Sequence, residues 1–160
     1  MDKEARRAQW ALRGGDWLFS FRQVRMQAFS IINRICPTHS LSLDDDFTAF
    51  KRSLEALAEG SHPYESAFME ALESLPGILE RMKATLKSDV REVRQVQKFE
   101  VNALDAFIKA CELGIAWVQD PQKRGSEAAM FFRFSRAWKW WRASNKVESA
   151  FWNKVSSASW

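Results

Sequence analysis

Apolar residues recur along this chain every three or four positions and nowhere in sustained alternation, so the pattern predicts helices from end to end. The strongest stripe joins Trp17, Phe21, Val24, Ala28, Ile31, Ile32 and Ile35, which fall within about 100° of one another on a helix. Pro37 closes it. Ahead of this stripe, residues 1–13 read as a short N-terminal helix ended by Gly14-Gly15, with Asp16 placed to cap the helix that follows. Leu43, Phe47, Phe50, Leu54 and Leu57 mark the next helix, opened by Ser42 with Asp45 three residues on and closed by Gly60. Pro63 suits the first turn of another, whose buried side is Tyr64, Phe68, Ala71, Leu72 and Leu75, and Pro76-Gly77 should bend or break it.

From Ile78 the helical pattern runs with little punctuation to Val118, which as one helix would reach about 60 Å. A break near Lys87-Ser88-Asp89, with Ser88 capping the new start, is the favoured alternative to one long spine. Residues 120–125 form a loop and Ser126 caps a helix over Glu127–Ala143, whose core arc is Met130, Phe131, Phe134, Ala137, Trp138 and Trp141. Beyond Ser144-Asn145 a last segment carries Val147, Phe151, Trp152 and Val155, and residues 155–160 read as a frayed tail in which Trp160 has no core role. The expected fold class is all-α: a single-domain helical bundle of five to seven helices over residues 1–160.

Composition sharpens this picture at two points. A hydrophobic share of 46% and an aromatic share of 13% exclude a disordered chain. The net charge of +4 divides unevenly: seven Lys/Arg stand against three Asp/Glu in residues 1–36, two against eight in 37–79, nine against seven in 80–125 and six against two in 126–160. Basic ends and an acidic middle suit self-association or a polyanion partner.

The inventory for catalysis is poor. Cys36 and Cys111 sit at apolar helical positions with no partner at metal-ligand spacing, and His39 and His62 are expected in loops beside prolines. Asp44, Asp45 and Asp46 diverge by about 100° each on a helix and instead oppose its dipole, so no metal site is expected. No nucleotide loop or nucleophile elbow occurs, which leaves no expected enzyme activity and no expected cofactor. Without a leader or a bilayer-length apolar run the expected location is cytoplasmic.

The candidate chemistry lies on the outer face of the last long helix. Arg133, Arg136, Lys139, Arg142 and Lys146 fall there with Phe132 and Trp140 set between them, and Lys123 and Arg124 adjoin in the loop. Cations that neutralise phosphates, beside rings that stack on bases, suit single-stranded nucleic acid. Such binding would be weak from one strip, so the setting expected is a nucleoprotein assembly containing other protein subunits. In size, helical content and basic balance the chain resembles the small helical subunits of CRISPR effector complexes, a likeness of architecture without a matching motif. The alternative is a protein-interaction module, an adaptor, inhibitor or oligomer subunit, with exposed Trp and Arg as interface anchors. A homo-oligomer pairing acidic 37–79 with the basic ends belongs to that reading, and membrane binding is disfavoured because the opposite face of the helix is core-like. Arg22, Arg25 and Arg34 are expected to point to solvent, where they could extend the basic surface.

Overall fold

The computed structural model describes residues 2–36, 42–120, 122 and 126–157, apart from the side chain of Ser126. They form five helices and no strand: α1 (Lys3–Ile35), α2 (Leu43–Ala58), α3 (His62–Ala84), α4 (Arg91–Gln119) and α5 (Ser126–Ser156). The all-α helical bundle is therefore the observed fold.

Gly14-Gly15 does not turn the chain, and residues 1–13 are not a separate helix. α1 runs through both glycines for 33 residues, about 50 Å, capped by Asp2, which accepts a hydrogen bond from the Ala5 N–H at 2.7 Å. Tertiary contacts on both sides hold the glycines helical. Trp10 donates from Nε1 to Glu92 at 2.8 Å, and Trp17 donates to the Leu86 carbonyl at 2.9 Å. Gly14 has a packing role: a Cβ there would lie 2.5 Å from the Phe151 ring, so only glycine lets α5 approach this closely. Asp16 is an exposed residue inside the helix and caps nothing.

α2 begins as its sequence predicts. Ser42 Oγ accepts from the Asp45 N–H, and the end is a Schellman turn in which Ser61 N–H bonds Ala56 C=O, Gly60 N–H bonds Leu57 C=O, and Gly60 takes φ +77°. α3 starts at His62 with Pro63 in its first turn, so His62 is an exposed helical residue and not a loop residue. It continues through Pro76-Gly77, because Ala71, Leu75, Ile78, Leu79 and Met82 keep one buried stripe across the proline. Tyr64, expected on that stripe, is exposed at its start.

The predicted pause after α3 is real. Helix stops at Ala84, Leu86 stands out in solvent, and α4 begins at Arg91 with Ser88 Oγ accepting from the Val90 N–H. Gln97 bridges the pause by donating to the Met82 and Thr85 carbonyls. α4 and α5 then form the most extensive pairing of the fold, an antiparallel hairpin, and Gly114 of α4 lets α2 pack closely, since a Cβ there would lie 2.7 Å from the Leu54 side chain. α1 runs antiparallel to α3 and α5, and α2 crosses the end of the hairpin. The core there is aromatic: Phe50 meets Phe68, Phe107 and Phe134 with ring centroids 5.0–6.2 Å apart.

Candidate nucleic-acid interface

α5 is one helix from Ser126 to Ser156, with no break at Ser144-Asn145 and no fraying at residues 155 and 156. Ser144 is fully buried and donates to Glu100 Oε1 at 2.8 Å, so it serves the helix pairing. Met130, Phe134 and Ala137 are buried as expected, while Phe131, Trp138 and Trp141 are half-buried along the edge of the same face. Trp141 lies against Phe29 of α1 and Phe107 of α4.

The outer face carries the predicted cations. Arg136, Lys139, Arg142 and Lys146 are exposed, and Arg133 is half-buried. Among the described residues none of these five forms an ion pair, whereas Arg13, Arg34, Lys51, Lys109 and Lys154 elsewhere each meet a carboxylate. Their neighbours are rings: Arg133 and Arg136 lie 5.8 and 5.6 Å from the centroid of exposed Phe132, and Arg142 lies 4.5 Å from Trp138. Unneutralised charge held beside aromatic surface is what phosphate binding with base stacking requires.

Trp140 departs from the expected arrangement. It is half-buried and stacked on Phe99 of α4 at 5.3 Å and 27°, which commits one ring face to holding α4 and α5 together. Phe132, 53% exposed and flanked by Arg133 and Arg136, is the more open ring of the strip. Lys123 and Arg124 lie outside the described residues, as do His39 and Trp160, and the Ser126 cap rests on a side chain outside them.

On one flank of the strip, α5 meets α1 and α2 in an open groove of ≈ 820 Å³. Phe29, Trp138 and Trp141 supply its apolar walls, and Lys139, Arg142 and Lys146 its rim. Asp46 borders it from α2. That carboxylate is 3% exposed: Oδ2 accepts from Trp138 Nε1 at 3.0 Å, and Oδ1 has no donor among the described residues. Asp44 and Asp45 point into solvent, so the three aspartates diverge.

The feature that sequence reading missed is a buried charge network behind the strip. Arg25 does not face solvent: it is 8% exposed and donates to Glu148 through Nη1 at 2.8 Å and Nη2 at 3.2 Å, and to Glu100 at 3.3 Å. Burial opposes the charge on Arg25, but the hydrogen bond to Glu148 and the attraction of both carboxylates outweigh it and raise its pKa. Burial lifts the Glu100 carboxyl above its ordinary range in spite of Arg25. The signal was present, since Arg25 stands four residues after Phe21 and three before Ala28, and Glu100 midway between Val96 and Leu104. Each occupies a core register with opposite sign.

Arg34 and Arg22 do not extend the strip either. Arg34 pairs with Glu70, and Arg22 lies beside Leu18, Phe19 and Trp152 in a separate groove. Cys36 and Cys111 are buried free thiols; burial pushes Cys36 up to about 12 and Cys111 higher still. Among the described residues no helix is long and apolar enough to cross a membrane. No family model, curated protein or solved structure matches the chain.

Proposed function

We propose that this chain is a non-catalytic helical subunit of a nucleoprotein assembly that binds the backbone of single-stranded nucleic acid along the outer face of α5. One observation carries the reading: five cations spread over about 20 Å of a single helix, none neutralised by a carboxylate among the described residues, with Phe132 exposed between them. Arg136, Lys139, Arg142 and Lys146 contact phosphates and Phe132 offers a stacking face. Trp140 supports the helix pair from behind. The test is fluorescence anisotropy of labelled single-stranded RNA and DNA against the wild type and the Arg136→Glu/Lys139→Glu double variant. Loss of binding in the variant with an unchanged circular-dichroism melt supports the reading, and unchanged affinity overturns it.

A second reading, the protein-interaction module, is favoured by a different surface from the Trp/Arg anchors first expected. Leu12, Phe19 and Met26 are 63%, 68% and 54% exposed at seven-residue spacing on α1, so large apolar side chains share one helical face. In a nucleoprotein this face would meet a neighbouring protein subunit. Phe19→Glu should then abolish assembly while leaving binding of short oligonucleotides unchanged.

A further inference from the structure

We infer that the exposed face of α1 docks on the same face of a second copy of this chain, the two helices running parallel about a two-fold axis. This names the partner for the protein-interaction reading above and rests on it. Leu12, Phe19 and Met26, each more than half exposed, lie along one line of α1. Seven residues fall just short of two turns, so the line drifts by about 20° per step, and a slight left-handed coil keeps it against a partner helix. Within about 40° of this line α1 carries no charged residue from Ala5 to Ser30. Ala8 and Ser30, both exposed on it, are small enough to let another helix come close. Trp152 of α5, 45% exposed and lining the same groove as Phe19 and Arg22, extends the apolar surface on one side.

The charges that flank the line point to a copy of the chain. Asp16 stands three residues before Phe19 and Arg22 three after, about 60° to opposite sides of it. Both are exposed, and neither forms an ion pair among the described residues, whereas Arg13, Arg25 and Arg34 of the same helix each meet a carboxylate. A two-fold axis parallel to α1 sets the left flank of one helix against the right flank of the other. Asp16 of each copy then faces the partner's Arg22, and two such pairs bracket the contact of Phe19 with its own copy at the axis. The members of a pair are six residues, about 9 Å, apart along the helix, and the Arg side chain closes this gap because it leans toward the N-terminus. An antiparallel pair would keep like flanks together, with Asp16 against Ser20 and Gln23 and Arg22 against Gly15, and would satisfy no charge. The face thus carries both halves of its own complement, spaced evenly about its centre.

Analytical ultracentrifugation of the intact chain tests this. The wild type should show a monomer–dimer equilibrium in the micromolar range, as befits a contact of one helix per copy. Phe19→Glu should be monomeric with an unchanged circular-dichroism melt. Asp16→Arg and Arg22→Asp each turn two attractions into two repulsions and should weaken the dimer roughly tenfold. The double variant Asp16→Arg/Arg22→Asp restores both pairs with the signs exchanged and should return to within about threefold of wild type. A wild type that stays monomeric up to millimolar concentration overturns the inference. So does a dimer that Phe19→Glu or the single charge reversals leave intact, or a double variant no tighter than the single ones. The charge variants decide even if Phe19→Glu does not fold. A dimer held through another face overturns the inference and leaves the protein-interaction reading standing; after a monomeric result, that reading falls only if Phe19→Glu still assembles with other subunits as the wild type does.

Discussion

At the scale of single residues, the buried triad of Arg25, Glu100 and Glu148 sets the stability of the bundle centre. Removing one member leaves an opposite charge stranded in the core, so Arg25→Met should cost about 3–5 kcal/mol, and Arg25→Met/Glu100→Leu should recover part of that loss. Urea denaturation of the three proteins measures it. Glu100 also makes a pH prediction. Its folded pKa lies above the unfolded value of about 4.3, so its contribution is fully present below that pH and is lost as pH rises through the folded value. Gln at position 100 keeps an acceptor for Arg25 and Ser144 and does not titrate. The stability difference between Glu100→Gln and wild type should therefore shift toward the variant as pH rises above the unfolded value; a constant difference would show that Glu100 does not titrate unusually.

Two glycines make a contrasting pair. Gly14→Ala drives a methyl into the Phe151 ring and should destabilise by about 1–3 kcal/mol. Gly77→Ala places its methyl in open space on the exposed side of α3 and should stabilise by roughly 0.5–1 kcal/mol. Thermal melts of both variants decide whether each glycine is read correctly.

At the scale of elements, α5 separates structure from binding by face. Trp140→Ala should lower stability, since it removes the stack on Phe99 that is worth about 0.5–1.5 kcal/mol beyond the area lost. Phe132→Ala should leave the melt unchanged and weaken single-strand binding by about 1–3 kcal/mol, the contribution of one stacked base. If the two variants exchanged these effects, the assignment of faces would be wrong.

Helix faces with a uniform stripe were legible in the sequence: the α2 stripe, the Ser42 cap, the Gly60 stop and the α5 core arc all follow from spacing. Local punctuation misled where tertiary contacts overrode it. Gly14-Gly15 and Pro76 read as breaks, but the indoles of Trp10 and Trp17 hold α1 through the first, and the buried run from Ala71 to Met82 carries α3 past the second. Trp140 was misplaced because Phe99, the residue that covers it, belongs to another helix, and one-dimensional periodicity holds no information on neighbours. Arg25 and Glu100 were readable only by crediting a charge at a core register with a partner on a different helix.

At the scale of the whole molecule, ion pairing leaves the charge asymmetry on α5. The acidic middle is partly consumed internally, Glu70 by Arg34, and the acid at the start of α5, Glu127, by Lys51 of α2. The five cations of the outer face retain their charge, so the field of the molecule should point a polyanion to that face. The measurement that tests this most directly is the salt dependence of single-stranded RNA affinity for the intact chain. Engagement of the four exposed cations Arg136, Lys139, Arg142 and Lys146 predicts a slope of log affinity against log salt of about −2.8, reduced by about 0.7 for each cation neutralised. A slope near zero, or one that Arg136→Gln and Lys139→Gln leave unchanged, would contradict binding through this face.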